Sequence, residues 1–191
     1  MTDPMLIDVP ERLDGDKTLL LAPRAGLGAE MAVVIAQSLS HLRPWMPWAQ
    51  EAPTAESAEL VVRRMQADFI ARRDLCFQIF ERRADGSAGR MLGGTGLHRI
   101  DWAVRRFEIG YWLRPDAQGR GHIGEAVRLL TALAFETLDA RRVEIRCDPG
   151  NTKSRAVAER AGFELEGVLR NNVLGVDGSP RGSCVYSRIT A

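Results

Sequence analysis

The sequence predicts a single α/β domain built around a mixed sheet. Three observations carry that expectation. Apolar residues recur at helical spacing before residue 70. Short runs rich in apolar and aromatic residues fill Cys76 to Leu113, and helices then alternate with strands towards the C-terminus. The 191 residues suit one domain with a proper core. The domain is expected to span residues 1–191, with 1–15 as an irregular N-terminal extension.

Thr18 to Leu21 reads as a first short strand and Leu27 to Leu39 as a helix. The helix runs into HLRPWMPWAQEAP, whose three prolines and two tryptophans mark a structured loop rather than a linker. Thr54 can cap the next helix, with Glu56 favourable in its first turn. Ala58, Val61, Val62, Met65 and Phe69 form that helix's buried stripe. Cys76 to Arg83 is the next strand, and RADGSAG is a hairpin connection with Asp85-Gly86 as its turn. Met91 to Ile100 and Val104 to Leu113 complete an antiparallel meander. A helix then runs to about Leu138, with Ile123, Val127, Leu130 and Ala134 on one face. RRVEIRC is a short strand, and NTKSRAVAERAG is a helix that Asn151 can cap and Gly162 can end. FELEGVLRN and GSCVYSRIT are the closing strands.

Composition excludes several classes. A formal net charge of +1 argues against a nucleic-acid protein held by bulk electrostatics. The basic residues are nearly all Arg, with Lys only at positions 17 and 153, which reads as a compositional habit. Cys76, Cys147 and Cys184 lie far apart in strand-like stretches, with no C-x-x-C pair to suggest a metal or redox site. They are read as buried free thiols in a reducing compartment, with no disulfide framework and no metal expected. MTDPMLIDVPERLDGDK is acidic and broken by prolines, unlike a signal peptide, and no apolar run approaches the ~18 residues of a membrane span. A soluble cytoplasmic protein is the expectation, with no membrane or nucleic-acid partner.

The stretch YWLRPDAQGRGHIGEAVRLL has two readings. Gly119, Gly121 and Gly124 spell G-x-G-x-x-G, a dinucleotide fingerprint, and Glu144 lies about 20 residues further on, where a ribose-binding carboxylate could stand. Against it, Pro115-Asp116-Ala117-Gln118 separate the strand from the first glycine, a meander precedes it, and too little chain follows for a second mononucleotide-binding half. Both readings share one physical core. A glycine-rich turn feeding a helix N-terminus aims unpaired backbone N–H groups at solvent, and with the helix dipole they bind phosphate or pyrophosphate. Arg120 adds a charge, and three glycines in six residues favour a ligand over a mere turn.

FEIGYWLRPDAQGRGHIGEA, followed by VEIRCDPGNTKSRAVAERAGFELEGVLR, resembles the two signature regions of the GNAT superfamily of acetyl-CoA-dependent N-acetyltransferases. EIGYWL, N-x-x-S-x-x-x-A-E-R-x-G-F-x-x-E-G and the upstream HLRPWMPW resemble its RimJ/RimL branch, which acetylates protein N-termini. Two departures stand. The superfamily turn, counted from Gln118, ends at Ile123, one residue before Gly124. No motif outside these regions identifies a peptide acceptor, and the branch also includes enzymes acting on small amines.

The resemblance implies a mixed, mostly antiparallel sheet of six to seven strands flanked by helices, in which a splayed strand pair opens the acetyl-CoA cleft. The strand ending at Leu113 would part from RRVEIRC, and the pantetheine arm would meet backbone groups at Ile109, Tyr111, Trp112 and Leu113. The pyrophosphate would sit on the amides of Gln118, Gly119, Arg120, Gly121, His122, Ile123 and Gly124. Ser154 occupies the place where the branch puts a hydroxyl near the coenzyme sulfur, and Asn151 is either a helix cap or a cofactor contact. Glu108 stands where some members carry a catalytic glutamate; otherwise it is a strand carboxylate paired with Arg105 or Arg106. His98 and His122 are the other titratable candidates and read as structural or solvent-exposed. Trp45 and Trp48 either plug the core or wall the acceptor site. RNNVLGVDGSPRG is read as a further part of that wall or a dimer contact. The leading expectation is acetyl transfer from acetyl-CoA to a primary amine, an N-terminal α-amine foremost, by a monomer or homodimer. The alternatives are an enzyme for small amines such as antibiotics or polyamines, and a non-catalytic acyl-CoA-binding module.

Overall fold

The computed structural model describes residues 3–190; Met1 and Thr2, at the head of the expected extension, and Ala191 lie outside the described residues. Among the described residues eight strands form one sheet, in the order β1-β2-β3-β4-β5-β6-β8-β7. These are β1 (Arg12–Asp14), β2 (Thr18–Leu21), β3 (Leu75–Arg82), β4 (Ala88–Asp101), β5 (Arg106–Leu113), β6 (Arg142–Cys147), β7 (Glu164–Leu174) and β8 (Pro180–Ile189). The helices are α1 (Gly28–Leu42), α2 (Ala55–Ile70), α3 (His122–Ala132) and α4 (Thr152–Arg160), and α3 runs on into a π-helical turn over Leu133–Thr137. Every strand pair is antiparallel except β5 with β6, which α3 connects. The sheet is mixed and mostly antiparallel as expected, but with eight strands instead of six to seven. The addition includes β1, inside the segment read as irregular. Three residues are too short to show a period of two, and only their pairing with Leu19–Leu21 makes them a strand.

Two layers of apolar contact fix the register. On one face Phe77, Ile79, Leu97, Phe107 and Ile109 pack against Val127, Leu130 and Ala134. On the other, Leu19, Phe80 and Met91 pack against Met31, Val34, Ile35 and Val62. The α2 stripe is narrower than its spacing suggests: Ala58, Val62 and Phe69 are buried, but Val61 is 38% exposed and Met65 half-buried. Residues such as Ile79 and Leu97 are wholly removed from water, worth about 1.5–3 kcal/mol each. A one-residue slip would turn them outward, so the register of β3, β4 and β5 is strongly held. Of the three cysteines, only Cys184 is fully buried; Cys76 and Cys147 are partly buried.

The pairing of β5 with β6 is short. Its rungs are Arg106 with Arg142, Phe107 with Val143 and Glu108 with Glu144. Past Glu108, β5 stays with β4 as far as Gly93 opposite Leu113, while β6 stays with β8 as far as Cys147 opposite Cys184. The two strands part at Glu108, and a gap opens through the sheet.

Candidate active site

The gap has two sides because successive strand residues face opposite ways. Phe107, Ile109 and Leu113 of β5 turn towards α3 and are buried. Tyr111 shares their side. Glu108, Gly110 and Trp112 turn to the other side, opposite His98, Gly96 and Gly94 of β4. Ile109 and Leu113 are therefore core side chains, and only their backbone is available along the edge that β6 has vacated.

At the head of the gap the chain makes the glycine turn. Gly119 has φ +74 and Gly121 φ +84, left-handed conformations that cost an ordinary residue about 1–2 kcal/mol. Gly121 is the N-cap of α3, and among the described residues no side chain caps this helix. Each of the other three helices has a first-turn amide satisfied. Glu59 accepts from Gly28 N at 3.0 Å, Thr54 from Ser57 N at 3.1 Å and Asn151 from Ser154 N at 3.1 Å. The N–H groups of His122, Ile123 and Gly124 are left for an anion. Gly124 is itself a helical residue with nothing within 4 Å of a would-be Cβ, so it contributes an amide and not a turn. The His122 ring points inward, with Nδ1 3.0 Å from Thr18 Oγ1, and burial followed by Lys17 holds its pKa down. Its share in an anion site is its backbone.

The sequence reading missed the lysines. Lys17 Nζ lies 2.9 Å from where a Cβ of Gly121 would be, and Lys153 Nζ donates to Gln118 Oε1 at 3.0 Å. The two lysines of the chain come from opposite ends of the sequence and converge on the same turn. Cations beside a positive helix end repel it unless an anion is present. Their rarity was the one signal available. Glu144, the candidate ribose carboxylate, is sealed instead between Arg142 at 2.6 Å and Arg146 at 2.8 Å. Burial opposes its ionisation, yet these two hydrogen bonds hold its carboxyl below the ordinary value.

Across the gap from β5, the β6–α4 connection sets Ser154 in the first turn of α4. Asn151 caps that helix through its side-chain oxygen, which settles its structural role. Ser154 Oγ lies 2.9 Å from the Tyr111 hydroxyl, which also donates to the Ser154 carbonyl at 3.2 Å. Burial pushes the Tyr111 phenol up to about 12, so it remains protonated at neutral pH. Burial likewise pushes the Cys147 thiol up to about 11, against a hydrogen bond to Ser154. Tyr111 thus brings a second hydroxyl to Ser154, a pairing that sequence separation conceals.

On the other side, Glu108 has Arg99 and Arg146 each at 3.6 Å, not Arg105 or Arg106. Register explains the change: Arg106 pairs opposite Asp101, and the Arg105 guanidinium donates to the Leu138 carbonyl. Burial pushes the Glu108 carboxyl up, with Arg99 and Arg146 pulling it back. Close by, Asp74, Cys76 and His98 bring three ligand-type atoms within 4.8 Å of one another. Hydrogen bonds account for the set: Asp74 accepts from the Cys76 thiol at 3.0 Å and meets His98 Nδ1 at 2.9 Å. Burial and then the Asp74 charge drive the thiol pKa far up, so Cys76 stays protonated.

Trp45 and Trp48 are 38% and 52% exposed, which rules out a core plug. Trp48 packs edge-on against Trp112 with centroids 5.8 Å apart. Trp45 reaches Gly150, where a Cβ would stand 3.9 Å from its ring. One indole therefore touches β5 and the other the β6–α4 connection. RNNVLGVDGSPRG is mostly strand: it forms the end of the β7–β8 hairpin, and Arg181 donates to the Pro44 carbonyl at 3.3 Å.

A parted strand pair, an uncapped helix end flanked by lysines and a hydroxyl pair beside the gap are the features an acyltransferase that uses a phosphate-bearing thioester requires. Residues 25–164 match the family described as Acetyltransferase (GNAT) domain, and the chain belongs to that family. It is an N-acetyltransferase of this fold, and the dinucleotide reading of the glycines falls. The Bacillus subtilis protein YdaF, provisionally named a ribosomal N-acetyltransferase, is 36% identical over 148 residues, 75% of each chain. The ribosomal-protein-serine acetyltransferase of Escherichia coli is 38% identical over 80 residues, 42% of this chain and 45% of that protein. Among solved structures, the microcin C7 self immunity acetyltransferase MccE, in complex with acetyl-CoA and AMP, superposes with a TM-score of 0.84 at 26% identity. It covers 92% of this chain and 94% of its own. RimL, a ribosomal L7/L12 α-N-protein acetyltransferase solved with coenzyme A, shares the fold at a TM-score of 0.83 and 23% identity, covering 95% and 97%.

Proposed function

We propose that the protein moves the acetyl group of acetyl-CoA directly to the N-terminal α-amine of a protein or peptide. The observation that carries this reading is the Tyr111–Ser154 hydroxyl pair beside the parted strands, below the uncapped end of α3. The α3 amides, with Lys17 and Lys153, hold the pyrophosphate. The pantetheine lies along the free edge of Ile109 to Leu113 and brings the thioester to the gap. Ser154 protonates the departing thiolate, and Tyr111 returns the proton. Because a thiol has a pKa of about 8.5, a weak donor suffices. Glu108, on the opposite side with Trp48, draws the cationic amine in and organises water. An α-amine, with a pKa of about 7.7–8.0, is already partly neutral at working pH and asks little of a base, unlike a lysine near 10.4. The ribosomal-protein names of relatives support a protein acceptor. The similarity to MccE, solved with acetyl-CoA and AMP, supports a second reading in which the acceptor is the amine of a small molecule and not of a protein.

The test is thiol release from acetyl-CoA with peptides bearing a free N-terminus, the same peptides blocked at the N-terminus but carrying lysine, and a set of aminoglycosides and polyamines. Turnover with free N-termini and none with blocked ones is expected. Turnover with small amines alone would leave the fold and move the acceptor to the second reading.

A further inference from the structure

His98 carries features that neither packing nor the roles assigned above require. It stands on β4 opposite Glu108, the last β5 residue paired with β6. Its Nδ1 lies 2.9 and 3.0 Å from the two oxygens of Asp74. An ionised carboxylate only accepts, so Nδ1 carries the proton, and in the neutral ring Nε2 keeps a lone pair.

The seat of the ring is built into the sheet. A Cβ on Gly96 would stand 2.9 Å from Cε1 of His98. One on Gly110 would stand 2.9 Å from Cδ2 and 3.1 Å from Nε2. Neither glycine has a positive φ, so neither serves a special backbone conformation. Two glycines side by side in adjacent strands weaken a sheet, and here they clear the space an imidazole needs. Nε2 consequently rests over Gly110, where β5 leaves β6, on the side that carries Glu108 and Trp112. The side chain is 31% exposed, and no hydrogen bond to Nε2 occurs among the described residues. Asp74 and Cys76 meet the ring and Glu108 stands opposite it on β5, while Arg99 and Arg146 each lie 3.6 Å from Glu108 and Arg146 also holds Glu144.

We infer that His98 is the proton acceptor for the amine in acetyl transfer, with Asp74 as its positioning residue. The inference rests on the acetyl-transfer reading given above. Nε2 first takes a proton from the bound ammonium; the neutral nitrogen then attacks the thioester carbonyl carbon, forming the C–N bond, and releases its second proton to solvent. The C–S bond breaks, sulfur takes a proton from Ser154 Oγ, Tyr111 returns one to Ser154, and Tyr111 and His98 exchange with solvent to reset. Amine and thiol thus work from opposite sides of the gap.

Two measurements test this. In the first, kcat of His98→Gln and Asp74→Asn is followed with a peptide acceptor from below to above the amine's own pKa. About a tenfold loss is expected for His98→Gln at neutral pH, because only about a tenth of an amine with a pKa of about 7.7–8.0 is neutral there. It should shrink to a few-fold once the amine is neutral in bulk, with KM for acetyl-CoA unchanged. A merely structural histidine would give the same loss at every pH, and that result overturns the inference while leaving acetyl transfer standing. A wild type that acetylates no amine overturns both. The second measurement is independent of the acceptor. Ring 15N spectra should show the Nδ1–H tautomer in the wild type and a shift towards Nε2–H in Asp74→Asn. A wild-type ring protonated on Nε2 alone would also overturn it.

Discussion

Ser154 has two jobs in one helical turn: its amide receives the Asn151 cap, and its hydroxyl meets Tyr111 at 2.9 Å. Substitution by Ala leaves the cap intact, because the cap uses the backbone N–H. Ser154→Ala is therefore expected to lower kcat roughly ten- to a thousandfold, the span of proton-donor contributions, with acetyl-CoA affinity little changed. Tyr111→Phe should act in the same direction but less, because solvent can replace the lost hydroxyl. Steady-state kinetics with a saturating amine, beside calorimetric titration of coenzyme, separates the two effects. An unaltered turnover in Ser154→Ala would make that serine a plain first-turn residue. The resemblance picked out Ser154 by number. Its partner Tyr111 lay 43 positions away, and no local pattern links the two.

The glycines of the turn differ by element. Gly121 ends a loop at φ +84 under Lys17, whereas Gly124 lies in the first turn of α3 with open space around it. Gly121→Ala is expected to weaken coenzyme binding through strain at the anion site. Gly124→Ala should bind coenzyme normally and gain stability, since Ala is favoured over Gly in a helix by about 1 kcal/mol. Calorimetry and thermal melts on both variants check the contrast, and loss of binding in Gly124→Ala would restore the six-residue fingerprint. The loop between α1 and α2 makes a separate prediction. Trp45 and Trp48 are too exposed for Ala substitutions to cost the few kcal/mol of a buried aromatic. Each should instead raise the KM of the amine while leaving acetyl-CoA binding intact. A marked drop in melting temperature with an unchanged amine KM would return them to packing.

At the scale of the molecule, an ionic ladder ties the parallel strand pair to the C-terminal hairpin. Glu166 of β7 accepts both Arg142 Nη atoms at 2.6 Å and the Ser187 hydroxyl at 2.7 Å, while Arg142 also holds Glu144. These bonds, the one from Arg142 first, pull the Glu166 carboxyl from 4.5 down to about 2. A depressed carboxyl contributes stability that is fully present above its unfolded value and is lost as pH falls through the folded one. The window is therefore 4.5 down to about 2. Glu166 is 46% exposed, so salt screens the pair and the contribution is modest. Glu166→Gln should flatten the acid limb of a stability–pH curve in that window and leave neutral activity unchanged. Denaturant melts at stepped pH measure it, and an unchanged slope would assign the acid sensitivity elsewhere.

The sheet class, most of the strands, the caps Thr54 and Asn151 and the glycine turn before α3 were all legible in the sequence. Each is a local pattern: a period of two or 3.6, a capping residue before an apolar run, glycines before a helix. The same local reasoning erred where a contact was long-range. It paired Glu108 with arginines close in sequence and left open whether the tryptophans lie in the core. The folded chain settled those matters, through where β5 parts from β6. It also decided that Lys17 and Lys153 meet at one turn, that Tyr111 reaches Ser154, and that Asp74 aims His98 across two glycines. The physical reason is that side-chain partners across a sheet are set by register and by the point where pairing stops. Both depend on apolar burial summed over the whole domain, which no single stretch of the chain displays.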